Sequence, residues 1–368
     1  MKARSNLINL LIISCSVSLL ATACTSNPTS YVVQGILPDS TYNGEMVYMV
    51  EYEKHDIRDS VQIVNGTFEF KGSIDTAAIS RIYLQRLYTN IILENGKISV
   101  DLADPSSAKG TPLNDQLSRY LKKSEQLRES MIADRKAIAD RKDIDKENRD
   151  DLFAQQYIRR VSLTDSLNSE FFTPNRNNAL GTFVLWDWAD VLSMDKMDSV
   201  YATAGDIVRN SVLITRIIEN NKRKKQTMAG MPFVDFTIED GHADGSKVSL
   251  SDYVGKGKYI LVDFWASWCG PCIAETPIIA EVYRKYKGDK FDVLGIAVWD
   301  KREETIKAIA EHNIVWPQIL NAGTVPTELY GIDGIPQIIL FGPDGKIIER
   351  DLRGDRLKEK VNEVMRQI

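Results

Sequence analysis

The sequence predicts an α/β domain at the C-terminus, preceded by a small antiparallel β domain and a helical region. Three observations predict this. From Tyr31 to about Asp104, short apolar segments alternate with polar residues and are broken by turn dipeptides. From Asn114 to about Lys225, apolar residues recur at helical spacing among charges. From about Pro232 onward, strand-like and helix-like segments take turns. A chain of 368 residues is long enough for two or three domains. The expected boundaries are 31–105, 110–225 and 230–368.

In the β part, Val61-Gln62-Ile63-Val64 and Lys97-Ile98-Ser99-Val100-Asp101-Leu102 read as strands. Asn65-Gly66 and Asn95-Gly96 read as hairpin turns, because both residue types tolerate positive φ. A small antiparallel sandwich or barrel is expected. In the helical part, Leu117, Tyr120, Leu121, Leu127, Met131 and Ile138 mark one face. The stretch Asn177 to Ala189, with Trp186 and Trp188, reads as a buried helix rather than a binding groove. In the last part, Tyr259 to Trp265 and Phe291 to Trp299 read as strands, and Cys272 to Tyr286 and Glu303 to His312 as helices. Gln337 to Phe341 and Lys346 to Asp351 form a hairpin, and Arg356 to Gln367 is a closing helix.

A net charge of -5 gives no basic footprint for nucleic acid. The dense basic run, Lys222-Arg223-Lys224-Lys225, has no interleaved aromatics and reads as a solvated helix end or linker. At the N-terminus, Lys2 and Arg4 precede an apolar run from Leu7 to about Leu20, too short to span a bilayer. Small residues follow, as in a secretory signal over residues 1–23. Leu20-Ala21-Thr22-Ala23-Cys24 resembles a bacterial lipoprotein box, with Ala21 where that family usually has Leu. The resemblance implies that Cys24 becomes the first mature residue and carries acyl chains, with residues 24–30 as a tether. The alternative is an ordinary signal peptide cut nearby.

The chain has four cysteines. Cys15 falls in the signal and Cys24 is the expected lipid site, which leaves Cys269 and Cys272. One close pair makes no disulfide framework, so it is read as chemistry. Zinc would need further ligands, and His55, His242 and His312 are scattered far apart in the sequence. Haem attachment would need His where Ile273 stands. A purely structural disulfide would close a tiny loop and stabilise little.

The run Leu261-Val262-Asp263-Phe264-Trp265-Ala266-Ser267-Trp268-Cys269-Gly270-Pro271-Cys272 closely resembles the thioredoxin superfamily: strand, Trp, C-G-P-C, helix. The resemblance covers about Pro232 to Ile368. A central insertion, Glu275, and Gly334-Ile335-Pro336 make it most similar to the envelope TlpA/ResA type. A thioredoxin-like fold is implied. At a helix start, unpaired N–H groups and the macrodipole favour an anion, so Cys269 is expected to be the attacking thiolate. Cys272, one turn inward, is suited to resolve a mixed disulfide. Gly270 and Pro271 form the active-site loop, Pro271 fitting a first helical turn. Pro277, deeper in the helix, is expected to kink it.

A carboxylate inside an apolar strand is costly to keep, and Asp263 is one. The resemblance implies that it moves protons beneath Cys272. Glu275 matches the acidic residue of the TlpA/ResA type, and having both departs from each parent pattern. Gly334-Ile335-Pro336 resembles the cis-proline loop opposite the cysteines, which implies that Ile335 and Pro336 meet an extended substrate. Trp268 is expected to pack on the active-site loop and touch substrate. His242 reads as a surface residue.

The expected activity is thiol–disulfide exchange through Cys269 and Cys272, as a reductase of disulfides in cell-envelope proteins. No bound cofactor and no metal is implied; the resemblance implies a membrane-bound electron donor. The expected location is the periplasmic side of the envelope, lipid-anchored, with the outer membrane preferred over the inner. Two other readings stay open. One is a thiol peroxidase, since peroxiredoxins share the fold, although their P-x-x-x-T/S-x-x-C setting is missing. The other is an envelope binding or scaffold lipoprotein with a secondary redox domain.

Overall fold

A computed structural model describes residues 28–54 and 56–367. The expected signal, Cys15, Cys24, the first part of the tether and His55 lie outside the described residues. The chain divides into two compact units, Met1–Lys122 and Lys123–Ile368.

The described residues of the first unit hold seven strands: β1 (Tyr31–Ile36), β2 (Met46–Glu51), β3 (Ile57–Gln62), β4 (Thr67–Gly72), β5 (Ala78–Leu84), β6 (Leu87–Leu93) and β7 (Gly96–Asp101). They form two sheets, in the orders β4-β1-β7 and β3-β2-β5-β6. Val33, Phe70 and Ile98 of the first sheet share one core with Val47, Met49, Ile82 and Ile91 of the second. The alternation in the sequence therefore records a sandwich with one buried face per sheet. Two details differ from expectation. β1 and β7 run parallel. Asn95-Gly96 does not close a hairpin, because β6 and β7 belong to different sheets. Gly96, at φ 136°, instead starts the strand that crosses over. The Asn95 side chain pins this crossover, accepting from the Ile74 N–H and donating to the Ile74 carbonyl. Asn65-Gly66 does make a tight turn, bridging Val64 to Thr67, after which β3 and β4 part to different sheets.

The helix α1 (Pro112–Ala139) follows. At its start the buried Asn114 side chain exchanges two hydrogen bonds with the backbone of Ile92, satisfying the edge of β6. The second unit continues with α2 (Lys146–Asn175), α3 (Ala179–Trp188), α4 (Met194–Ala202), α5 (Asp206–Arg209) and α6 (Val212–Gln226). The α3 helix is apolar on nearly all sides and is buried, as its composition predicts. The basic run is the end of α6, and its charges are partly paired: Lys224 with Asp333, and Lys225 with Asp195 and Asp198.

The rest of this unit comprises β8 (Thr237–Ile238), β9 (Val248–Ser249), β10 (Tyr259–Trp265), α7 (Gly270–Tyr286), β11 (Phe291–Ala297), α8 (Arg302–Glu311), β12 (Gln318–Ile319), α9 (Val325–Tyr330), β13 (Gln337–Phe341), β14 (Ile347–Glu349) and α10 (Gly354–Met365). Five strands make one sheet in the order β12-β11-β10-β13-β14. β10, β11 and β12 run parallel, and β13 and β14 are antiparallel to their neighbours. Both faces are covered, which is why β10 reads as a nearly unbroken apolar run. Leu261 and Trp265 pack with Ile279 of α7 and Leu357 of α10 on one side; Val262 and Phe264 pack with Tyr330 on the other. The architecture is the thioredoxin-like α/β fold that the sequence predicts. No helix among the described residues is long and apolar enough to cross a membrane.

Candidate active site

β10 delivers the chain to Trp265, and a short turn carries it to Cys269, the N-cap of α7. Cys269 and Cys272 are joined as a disulfide, with their Cα atoms 5.2 Å apart. The Cys272 N–H donates to Cys269 Sγ at 3.2 Å, so a helix-start amide already points at the outer sulfur. Both sulfurs sit in the wall between β10 and α7: Cys269 is 4% exposed and Cys272 1%. Gly270 and Pro271 are the exposed rim, with Pro271 in the first helical turn. Pro277 lies inside the same helix.

Asp263 lies on the Leu261–Trp265 side of β10, the side that α7 covers. It is buried, and its Oδ1 has no hydrogen-bond partner. Burial pushes its carboxyl up to about 8; the negative charge of Glu275 adds to this, and the positive charge of Arg353 opposes it. Glu275 is half-buried, and its carboxylate accepts the Gly354 N–H at 3.0 Å, at the start of α10.

The Ile335–Pro336 peptide is cis. The Ile335 carbonyl oxygen lies 3.7 Å from Cys269 Sγ, so this loop stands directly over the outer sulfur. Arg353 donates a hydrogen bond to the Pro336 carbonyl.

Trp268 is 62% exposed, and its indole N–H donates to the Trp299 carbonyl at 2.9 Å. Asp300 accepts from both the N–H and the hydroxyl of Ser267 and from the Thr305 hydroxyl. The β11–α8 connection thus holds the turn that leads into Cys269. Trp299 adopts φ 54°, a left-handed conformation that a bulky residue rarely takes. One strand over, Gln318 accepts the Trp265 indole N–H at 2.9 Å. It fits because Gly295, the β11 neighbour of Asp263, has no side chain there; a Cβ would come within 2.1 Å of the Gln318 amide oxygen. His242 stays apart, on the loop between β8 and β9, where its carbonyl accepts from Arg302.

The structure therefore sets the Ile335 carbonyl of the cis peptide against the Cys269–Cys272 disulfide, Asp263 on the side of β10 that α7 covers, Glu275 on α7 within electrostatic reach of Asp263, and Trp268 in the turn just before Cys269. Sequence reasoning missed Arg353, Trp299, Asp300 and Gln318. Asp300 and Arg353 lie a few residues past the ends of β11 and β14, and nothing local in the sequence marks Trp299 or Gln318.

Residues 229–350 match the AhpC/TSA family, and residues 31–117 match a domain of unknown function, DUF4369. The thiol-disulfide oxidoreductase ResA of Oceanobacillus iheyensis is 30% identical over 174 residues, covering 44% of this chain and 90% of that protein. The chain belongs to the ResA family of thiol-disulfide oxidoreductases. ResA of Bacillus thuringiensis is 27% identical over 147 residues, 40% of this chain and 82% of that protein. Among solved structures, the thioredoxin domain of a thiol-disulfide oxidoreductase from Bacteroides vulgatus is 38% identical. It covers 37% of this chain and 96% of that domain, with a TM-score of 0.34. The protein is accordingly a thiol–disulfide oxidoreductase, with a cysteine pair where such chemistry requires one. The ResA likeness takes in less than half of the chain.

Proposed function

We propose that the protein reduces disulfides of cell-envelope proteins. The observation that carries this reading is the Cys269–Cys272 disulfide at a helix start beside a buried, unpartnered Asp263. In the reduced protein the Cys269 thiolate attacks a substrate disulfide and one substrate sulfur leaves as a thiolate. Asp263, with Glu275 behind it, takes the proton of Cys272. Cys272 then attacks Cys269 Sγ, the mixed disulfide breaks, and the second substrate thiolate leaves. The protein ends oxidised and the substrate gains two electrons. A membrane-bound donor must return them, since the family resemblance implies no bound cofactor. Trp268, Ile335 and Pro336 meet the substrate, and Gly270-Pro271 forms the accessible rim. We further place residues 1–23 in a signal, a lipid on Cys24, and the body on the periplasmic side, at the outer membrane in preference to the inner. Residues 31–105 and 110–225 form an accessory region ahead of the redox domain at 230–368.

A Cys272→Ser variant tests the reading. Its mixed disulfides on Cys269 cannot resolve, so envelope proteins should be trapped covalently and released by dithiothreitol. Failure to trap any disulfide-bearing envelope protein, with Cys269 still reactive, would sink it. The AhpC/TSA match favours one second reading, a thiol peroxidase. That reading requires peroxide consumption dependent on Cys269 and faster than exchange with disulfides.

A further inference from the structure

Arg353 lies in the connection between β14 and α10, where that segment meets the site. Its guanidinium donates to the carbonyl of Pro336, the second residue of the cis peptide whose first carbonyl faces Cys269 Sγ. The next residue, Gly354, donates its N–H to Glu275. Asp351 and Gly354, at φ 61° and 53°, bracket this segment in left-handed conformations and fix its path. Among the described residues no carboxylate pairs with Arg353, so its charge is not cancelled at its own position. The groups facing Asp263 are few. Glu275 comes from α7 and Arg353 from the N-cap of α10; Leu352, next to Arg353, donates its N–H to the carbonyl of Ile338, the β13 partner of Asp263. The flanking strands contribute only Gly295 and Ile338 at its level.

We propose that Arg353 is a positioning residue for disulfide exchange: anchored on the Pro336 carbonyl, it supplies the positive charge that offsets Glu275 at Asp263. It rests on the proton role given to Asp263 above. The step affected is resolution. The Cys272 proton passes to the Asp263 carboxylate, Cys272 Sγ bonds to Cys269 Sγ, and the bond from Cys269 to the substrate sulfur breaks, its electron pair leaving with the thiolate. A cation near Asp263 keeps the carboxylate available to lower pH; without it Asp263 holds its proton longer.

The experiment uses the full mature chain, reduced, mixed rapidly with saturating oxidised glutathione across pH 5 to 10, following the resolution phase. Arg353→Met should move the inflection of the resolution rate upward by about 0.5–1 pH unit. Arg353→Lys should restore most of it, and Arg353→Met in an Asp263→Asn background should produce no shift. A slower rate with an unmoved inflection would make Arg353 a mechanical clamp only and overturn the inference. A shift that persists without Asp263 would overturn it as well. If Asp263→Asn alone leaves the wild-type inflection in place, the proton role of Asp263 fails first, which is a different result. Should Arg353→Met not fold, Arg353→Gln carries the same comparison.

Discussion

The guanidinium of Arg350 donates to both the carbonyl and the hydroxyl of Thr227, at 3.2 and 2.6 Å, fastening the residue after β14 to the residue that ends α6. A third bond runs to the Tyr330 carbonyl at 3.1 Å. Both partners are buried: Thr227 is wholly covered and Arg350 is 8% exposed. The helical region is therefore tied into the thioredoxin-like fold at its last residue.

Arg350→Met should lower stability by roughly 2–4 kcal/mol, because the buried Thr227 carbonyl and hydroxyl lose the guanidinium, and the Tyr330 carbonyl keeps only the Thr227 hydroxyl as donor. A fragment beginning at residue 230 should also be less stable to urea than one beginning at 206, which keeps α6 and Thr227. Equal denaturation midpoints for the two fragments would show that this tie contributes nothing.

The buried Asp263 makes stability fall with rising pH. Its carboxyl is pushed up to about 8, against roughly 3.9 in an unfolded chain. Between those values the folded state holds a proton that the unfolded state has lost. The associated stability is complete below about pH 4 and is lost as pH rises to about 8, at up to ~1.4 kcal/mol per unit. Asp263→Asn removes this dependence. The oxidised variant should be more stable than the oxidised parent at pH 7 and by a wider margin at pH 9, with the two converging near pH 4. Urea melts at the three pH values check it, and a constant difference would contradict the assignment.

Much of this was legible in the sequence, for a physical reason. Tyr259 to Trp265 is apolar on both faces because helices and loops cover both sides of the sheet, so its single acid stood out. C-G-P-C carries its own local geometry: a cap, a proline in the first turn and a second sulfur one turn on. Arg353 and Asp300 carried no such mark. Each acts on the site from a segment far along the chain, and only the pairing of β13 and β11 with β10 brings them there. Asn95-Gly96 failed as a hairpin for a related reason. The dipeptide specifies a turn, but the sheet that receives the next strand depends on β1, some sixty residues earlier.

The nucleophile should be Cys269. After reduction, iodoacetamide at pH 7 should alkylate Cys269 first, read by peptide mass spectrometry. The sulfur that caps α7 receives the Cys272 N–H, and the exposed Gly270–Pro271 rim lies beside it, whereas Cys272 is the more deeply covered. Preferential labelling of Cys272 would reverse the assigned order of attack and resolution.

The direction of electron flow follows from how strongly the Cys269 thiolate is held. A strongly stabilised thiolate favours the reduced form and makes an oxidant, with a potential near about -120 mV; weaker stabilisation gives a reductant such as thioredoxin, near about -270 mV. Here the helix start supplies the favourable field. Gly270-Pro271 adds no cation, and the carbonyl that faces Cys269 Sγ presents the negative end of its dipole. Asp263, with its carboxyl pushed up to about 8, is ionised in only a minor fraction of molecules at pH 7, the fraction able to take the Cys272 proton, so its mean charge on the sulfur is small. Glu275 is then the acid that disfavours the thiolate. The couple should therefore lie nearer the thioredoxin value, and Glu275→Gln should move it by ~10–30 mV in the oxidising direction. Equilibration of the Cys269–Cys272 pair with dithiothreitol buffers measures both quantities. A wild-type potential near about -120 mV, with the pair oxidised at steady state in cells, would assign the protein to disulfide formation instead. A shift toward more reducing values in Glu275→Gln would mean that this carboxylate acts through its bond to Gly354, holding α10, and not through its charge on the sulfur.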